Sequence, residues 1–129
     1  MTELEMQEYF PKAYPKMFQG QYGGIACGEG WFNVLNMLCR NIQSYLNWKP
    51  DVPQVVVDQV KEKLGTLRFY YHGGDEYIRG LVSMAEAITE VTCEECGSTG
   101  TLRQGGWIKT LCDVHEEERQ CRMKERVRQ

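Results

Sequence analysis

The segment CEECGSTGTLRQGGWIKTLCDVH, residues 93–115, contains two short pairs of candidate metal ligands. Cys93 and Cys96 form a Cys-x-x-Cys pair, and Cys112 and His115 form a second pair with the same internal spacing. Each spacing places two donors on one turn, and zinc prefers four such sulfur or nitrogen donors in a tetrahedron. The sequence therefore predicts a zinc site built by Cys93, Cys96, Cys112 and His115.

This predicted site is complete without a water or substrate ligand. Four protein ligands leave no open coordination position, so we expect the Zn²⁺ to be structural rather than catalytic. An iron–sulfur cluster fits less well, because one of the four ligands is a histidine.

The residues between and after the two pairs predict a hairpin followed by a helix. Candidate strands at 101–103 and 107–110 flank Gln104-Gly105-Gly106, and the run DVHEEERQCRMKERV that follows Cys112 favours a helix. Cys112 and His115 then lie in the first turn of that helix, on one face. The tight turn at Cys93–Cys96, here called the knuckle, is followed by a hairpin and a helix. This order resembles the treble-clef family of zinc folds over about residues 91–120.

Two amphipathic helices are predicted in the first two thirds of the chain. From Trp31 to Leu46, apolar residues recur every three or four positions, and Pro50 ends the pattern. A second helix is expected to begin at Asp75 as N-cap and to end near Glu90. The apolar residues assigned to this second helix are Tyr77, Ile78, Leu81, Val82, Ala85 and Ile88.

Residues 51–72 allow two interpretations. Alternation of Leu67, Phe69 and Tyr71 with polar residues predicts a strand. Residues 55–63 are either the hairpin partner of this strand, with a turn near Gly65, or a helix that Gly65 ends. The hairpin is favoured, because three consecutive valines suit a pleated strand better.

The N-terminal segment combines aromatic residues with turn formers. Pro11 and Pro15 are incompatible with one continuous helix over residues 1–18, so we predict a short helix followed by an extended arm. A glycine-rich stretch at 19–30 follows, with a short strand over residues 25–27.

Together these elements predict an α+β fold. Two amphipathic helices pack on a small antiparallel sheet in a main body, residues 1–90. A treble-clef-like zinc module with a C-terminal helix follows, residues 91–129, and the ring of Trp107 is expected to cover this module against the main body.

Composition limits the partners. The chain has 129 residues, a net charge of −3 and a pI near 5.4, which does not favour non-specific nucleic-acid binding. Residues 119–129 carry a local excess of positive charge, with five basic side chains and one acidic side chain, Glu125. This tail is either a solvated helix end or a contact for an acidic partner.

Cellular location follows from the N-terminus and from hydropathy. No apolar run is long enough to span a bilayer, and MTELEMQEYF lacks the layout of a signal peptide. We expect a cytosolic protein with no membrane partner and with reduced cysteines. Cys27 and Cys39 are then expected to be core residues, and Cys121 a surface or partly packed thiol.

Weaker signals indicate a ligand surface on the main body. Gly28 and Gly30 open a helix, where backbone amides either cradle a phosphate or simply form a tight turn. Arg68, Tyr70 and His72 share one strand face, which is either a polar outer surface or a site for anion recognition and stacking.

An enzyme is the least favoured class. His72, Asp75, Glu86 and Glu90 are titratable, but no spacing among them is typical of a catalytic site. A nucleophilic pair of Cys27 or Cys39 with His72 lacks a recognisable motif.

Three blocks resemble a family of small phage and prophage proteins over about residues 18–118: GEGWFNVLNMLC, VKEKLGTLRFYYHGG and the CEEC to CDVH segment. That family often has Cys-x-x-Cys as its second pair, whereas here His115 takes the last position. The resemblance implies a phage accessory protein in the bacterial host cytosol and supplies no catalytic residues. By analogy, such proteins inhibit host enzymes or host defence.

We therefore expect a non-enzymatic, zinc-stabilised protein with an anti-defence or other inhibitory role. Its partner is a host protein that it blocks, or a small anionic ligand such as a signalling nucleotide that it sequesters. The alternative is a nucleic-acid-binding regulator that uses the zinc module and the basic C-terminal helix.

Overall fold

A computed structural model describes residues 1–20 and 22–128; Gln129, the last residue of the predicted zinc module, lies outside the described residues. The fold is α+β, with four α-helices and two small sheets in that part of the chain. The elements follow in the order α1 (Glu3–Ala13), β1 (Ile25–Ala26), a 3-10 turn (Glu29–Trp31), α2 (Phe32–Trp48), β2 (Val56–Lys63), β3 (Thr66–His72), α3 (Glu76–Thr89), β4 (Thr101–Arg103), β5 (Lys109–Leu111) and α4 (Asp113–Arg128).

The hairpin interpretation of the valine-rich segment is confirmed. β2 and β3 pair antiparallel, and a two-residue loop joins Lys63 to Thr66. Both loop residues, Leu64 and Gly65, have positive φ angles of 53° and 83°. Positive φ at both central positions matches the right-handed twist of the flanking strands, which favours a tight hairpin over a helix here.

The prediction of a purely antiparallel sheet is wrong. β1 pairs with β2 in parallel, with Ile25 opposite Val60, so the three-stranded sheet β1-β2-β3 is mixed. Parallel neighbours require a long crossover connection, and α2 supplies it between β1 and β2. The sequence predicts a strand at residue 25. Its parallel pairing with β2 depends on α2, which connects the two strands.

The N-terminal helix runs through Pro11 and ends before Pro15. Thr2 caps it in a reciprocal capping box with Glu5. Pro11 has no N–H to offer the carbonyl of Gln7, and the hydroxyl of Tyr22 donates to that carbonyl instead, at 3.3 Å. Residues 15–17 then form a turn rather than the predicted extended arm.

Both predicted amphipathic helices are present, and they contribute the buried residues Leu35, Leu38, Ile42, Leu46, Ile78, Val82 and Ala85. Asp75 caps α3 as predicted, accepting from the Ile78 amide at 3.2 Å. The assignment of Tyr77 and Ile88 to the buried face is wrong, because both are exposed. They lie at the edge of a helix face that turns away from the core.

The second hairpin and the last helix follow the predicted order. β4 and β5 pair antiparallel, and α4 begins at Asp113, directly after Cys112. β5 starts at Lys109, two residues later than predicted. The hydroxyl of the buried Thr110 donates to the carbonyl of Gly65 at 2.7 Å, so this hairpin contacts the turn of the first one.

Replacing Gly65 by alanine should lower the free energy of unfolding by about 1–2 kcal/mol, measured by urea denaturation. The new methyl group would occupy a left-handed position and lie 2.6 Å from a Leu102 methyl carbon. Gly20→Ala is the matched control, because Gly20 also has a positive φ of 71° but no atom within 4 Å of the added carbon. Equal losses in the two variants would contradict the packing of the two hairpins.

Candidate metal centre

The structure brings the four predicted ligands into one cluster. Their donor atoms all lie within 4.8 Å of one another. The sulfur atoms of Cys96 and Cys112 are 3.8 Å apart, and His115 Nδ1 lies 3.6 Å from Cys93 Sγ and 3.2 Å from Cys112 Sγ. The four side chains are therefore close enough to hold a metal ion.

The donor separations fit a tetrahedral ion of zinc's size. Metal–sulfur bonds of about 2.3 Å and metal–nitrogen bonds of about 2.0 Å give tetrahedral edges of roughly 3.5–3.8 Å. Two of the measured separations fall in this range, and the Cys112–His115 separation is shorter by a few tenths of an ångström. Nδ1 of His115 is the nitrogen that faces the sulfur atoms.

Local electrostatics prepare one thiol for metal binding. Hydrogen bonds from the side chain and backbone of Ser98 lower the pKa of Cys96 to about 6. Cys96 is therefore largely a thiolate at neutral pH, which is the form that binds metal. Burial raises the pKa of Cys93, while the neighbouring Cys112 sulfur raises the pKa of His115.

A tight turn positions the first ligand pair. The Gly97 amide donates to the Cys93 carbonyl at 2.9 Å, and the Cys93 amide donates to the Ser98 carbonyl at 2.7 Å. Gly97 has a φ of +82°, a left-handed backbone conformation that favours glycine. This backbone geometry points both cysteines toward the same centre.

The start of α4 positions the second pair. The carbonyl of Cys112 accepts from the Glu116 amide at 2.9 Å, so Cys112 is the N-cap residue directly before α4. His115 then follows within the first turn, as predicted. Its Nε2 lies 3.6 Å from a carboxylate oxygen of Glu95 and 4.0 Å from one of Glu118. Carboxylates on the far nitrogen are typical of metal-bound histidines, whose orientation they fix.

The turn between the first two cysteines contacts the start of α2. The Gly30 amide donates to the carbonyl of Glu94 at 2.7 Å, and the indole nitrogen of Trp31 donates to the carbonyl of Thr92 at 2.9 Å. The side chain of Trp31 is fully buried. The backbone beside the ligands is therefore tied directly into the hydrophobic core.

Glu94 strengthens this contact with a buried carboxylate. One oxygen accepts from the Gly28 amide at 2.8 Å, and the other lies 3.6 Å from Lys109 Nζ. Burial raises the pKa of Glu94. The amide hydrogen bond and the lysine offset part of the cost of burying the charge.

This contact gives Gly28 and Gly30 a role that the sequence did not indicate. Their amides, predicted as candidates for phosphate binding, donate to Glu94 instead. A Cβ at Gly28 would overlap the carbonyl oxygen of Glu94, and one at Gly30 would overlap the carbonyl oxygens of Cys93 and Glu94. Both positions thus need glycine for close approach of two backbones. The signal in the sequence was the pair of glycines itself, but nothing there indicated its partner.

The other candidate ligand residues lie on the three-stranded sheet. Arg68, Tyr70 and His72 occupy the face of β3 opposite the buried Leu67 and Phe69, as predicted. Nδ1 of His72 lies 3.0 Å from a carboxylate oxygen of Asp58, and both side chains are exposed. These residues are not part of the metal cluster.

The remaining cysteines are separate from the cluster. Cys27 and Cys39 are buried, which confirms them as core residues, and Cys121 is exposed. Burial raises the pKa of Cys27 to about 12 and also raises the pKa of Cys39. Both buried thiols therefore stay protonated at neutral pH.

The side chain of Trp107 does not lie where the sequence analysis predicts. Its ring was predicted to lie between the zinc module and the main body, but the side chain is 73% exposed. Its carbonyl accepts a hydrogen bond from Arg119, a buried residue of α4 that is paired with Glu116. The backbone of Trp107 therefore stabilises the module, while its ring faces solvent.

Comparisons of the chain with protein-family models, with curated proteins and with solved structures give no match. The resemblance to phage proteins therefore stays a prediction. Across residues 1–20 and 22–128, no helix has the length and apolar character needed to cross a membrane.

Cys96→Ser should remove most of the bound metal and loosen residues 91–118, because it deletes one of four donors. Metal content by mass spectrometry and the melting temperature by circular dichroism are the measurements. Cys121→Ser is the control, since Cys121 is also an exposed cysteine but lies outside the cluster. One metal ion per chain and unchanged melting in Cys96→Ser would contradict the ligand assignment.

Proposed function

We propose that this chain is a non-enzymatic binding protein whose fold depends on a structural zinc ion. Three cysteines and one histidine are the donor set that zinc prefers, and a closed set of four protein ligands suits a structural ion. The order of turn, hairpin and helix around these ligands supports a treble-clef-like module. Bound zinc would neutralise thiolate charge and hold the Cys93–Cys96 turn against the start of α2.

The ligand that we propose is a small anion, bound on the outer face of the sheet. The observation that carries this proposal is a pair of like charges: Lys61 on β2 lies directly opposite Arg68 on β3. Neither forms a salt bridge within residues 1–20 and 22–128. Directly opposed cations cost stability, and an anion between them offsets that cost.

Arg68 also has unused hydrogen-bonding capacity. Its Nε atom is buried and has no partner among the described residues. A buried donor without an acceptor is costly, and an oxyanion is a strong acceptor for a guanidinium. A phosphate on this face would therefore offset the positive charge of the guanidinium.

A nucleotide is the form of anion that the neighbouring residue suits. Tyr70 follows Arg68 on the same face, and the residue is 43% exposed. An exposed aromatic ring beside an arginine can stack on a base while the arginine holds a phosphate. His72, two residues further, extends this polar face toward Asp58.

Two of the four titratable residues that an enzyme could use, Glu86 and Asp75, have structural contacts instead. A carboxylate oxygen of Glu86 accepts from the Phe69 amide at 2.9 Å, and the carboxylate of Asp75 caps α3. The Tyr45 hydroxyl also hydrogen-bonds Asp75, which lowers the pKa of that carboxyl. These contacts support a binding role over an acid–base role.

The biological role that we propose follows from the phage resemblance. A cytosolic phage accessory protein with a nucleotide site would sequester a host signalling nucleotide and so weaken host defence. A host protein that the chain blocks is the other partner consistent with this role.

Arg68→Gln should weaken nucleotide binding by about 10- to 100-fold, because it removes a charge-assisted contact with phosphate. Calorimetric titration with mononucleotides and cyclic dinucleotides measures this, and the affinity of the unmodified chain should fall as salt rises. Arg40→Gln is the matched control, since Arg40 is an exposed cation on α2, away from the sheet. Absence of binding across the panel, or equal binding by Arg68→Gln, would contradict the proposal.

A second candidate function is nucleic-acid binding by the basic end of the chain. An open groove lies beside the exposed Trp107, and its charged lining residues are Glu95, Lys109, Arg119, Arg122 and Arg126. Of these cations, Arg126 has no ion pair among the described residues. Stacking on an exposed tryptophan with nearby arginines is typical of single-strand binding. A salt-dependent mobility shift that Trp107→Ala abolishes and Arg68→Gln leaves unchanged would favour this function over nucleotide capture.

A further inference from the structure

The helices α2 and α3 carry a second set of uncharged residues beside the faces that form the hydrophobic core; Val34 and Leu81 of this set pack partly against the core, and most of the others are exposed. The members on α2, here called the α2 stripe, are Val34, Met37, Asn41, Ser44 and Trp48. The members on and just after α3, here called the α3 stripe, are Tyr77, Leu81, Met84, Ile88 and Val91. Met37, Met84 and Trp48 are 54%, 63% and 72% exposed. Such a surface on a small domain marks an interaction site.

The spacing of both stripes is that of a helix-packing seam. Steps of three and four residues alternate along each stripe, which is the heptad pattern of a coiled coil. The two helices run antiparallel. At one end Tyr45 stacks on Tyr77, with ring centres 4.4 Å apart. At the other end the indole N–H of Trp31 donates a hydrogen bond to the carbonyl of Thr92. An antiparallel helix pair with outward heptad stripes is half of a four-helix bundle.

We propose that a second copy of this chain packs against the α2 and α3 stripes and completes that bundle. In a two-fold dimer the same surface meets itself, so any charge near the axis would face an identical charge. Neither stripe contains Lys, Arg, Asp or Glu, although charged residues make up 26% of the chain. The charged residues of α3, such as Arg79 and Glu86, lie outside the stripe.

Side-chain sizes along α3 match this arrangement. If α3 of one copy runs antiparallel to α3 of the other and crosses it at Met84, then Gly80 lies opposite Ile88 of the second copy. In the same way, Leu81 lies opposite Ala87. No atom lies within 4 Å of the position that a Cβ at Gly80 would take, which leaves a notch for a large side chain. In these two pairs a large residue therefore meets a small one, which suits knobs-into-holes packing.

The groove between the two stripes supports the same occupant. It has a volume of about 210 Å³, and its lining is almost entirely apolar. Asn41 is the polar exception, and its side-chain amide donates to the Met37 carbonyl at 2.7 Å. A single Asn in an apolar helix seam is typical of interfaces that fix one register.

Sedimentation equilibrium of the metal-loaded chain tests this dimer. The unmodified chain should have twice the 15.0 kDa monomer mass at micromolar concentration. Met84→Glu and Met84→Lys should each weaken self-association by about 100-fold, because each places like charges across the axis. An equimolar mixture of the two variants should recover the dimer, because a carboxylate on one copy then faces an ammonium group on the other.

Val114→Glu is the matched control, because Val114 on α4 is exposed to the same extent as Met84, 63%. It should leave the dimer intact, and circular dichroism with metal analysis should show that all variants are folded. A monomeric unmodified chain at sub-millimolar concentration would overturn the proposal. So would a mixture of the Met84 variants that stays monomeric, or a Val114→Glu variant that dissociates equally.

Discussion

The hydrogen bond from the Gly30 amide to the Glu94 carbonyl joins the two halves of this structure. Glu94 lies between two of the candidate metal ligands, Cys93 and Cys96, and Gly30 lies in the turn that leads into α2. The backbones approach so closely that a Cβ at Gly30 would overlap two carbonyl oxygens. Buried Trp31, bonded to Thr92, carries the contact into the core. A metal ion that fixes the Cys93–Cys96 turn therefore also fixes the N-terminus of α2.

The metal centre is therefore distinct from the two surfaces that we propose for binding. The ligand cluster uses its polar contacts to hold the knuckle, the second hairpin and α4 in place. The outer face of the sheet, with Lys61 opposite Arg68, and the α2–α3 surface take no part in those contacts. The structural ion that we propose would thus leave two other surfaces available for partners. One is cationic and polar, whereas the other is uncharged and apolar.

Local patterns predicted most of the elements and the clustering of the four candidate ligands. The spacing of the Cys and His pairs, the alternation in β3 and the N-cap at Asp75 all depend on near neighbours in the chain. The features that were missed depend on contacts between distant residues. The parallel pairing of Ile25 with Val60 arises because α2 crosses over the sheet. Gly28 and Gly30 resemble an anion-binding turn in sequence, and only the folded chain places Glu94 against them. For Trp107, likewise, sequence does not indicate exposure.

Amide hydrogen exchange of the metal-loaded and chelator-stripped chain most directly tests the claim that the metal centre holds α2 in place. Removing the metal is expected to accelerate exchange in residues 93–115 and also in residues 28–35, because the Gly30–Glu94 contact is lost with the knuckle. Acceleration confined to residues 91–118, with residues 28–35 as protected as before, would contradict that claim.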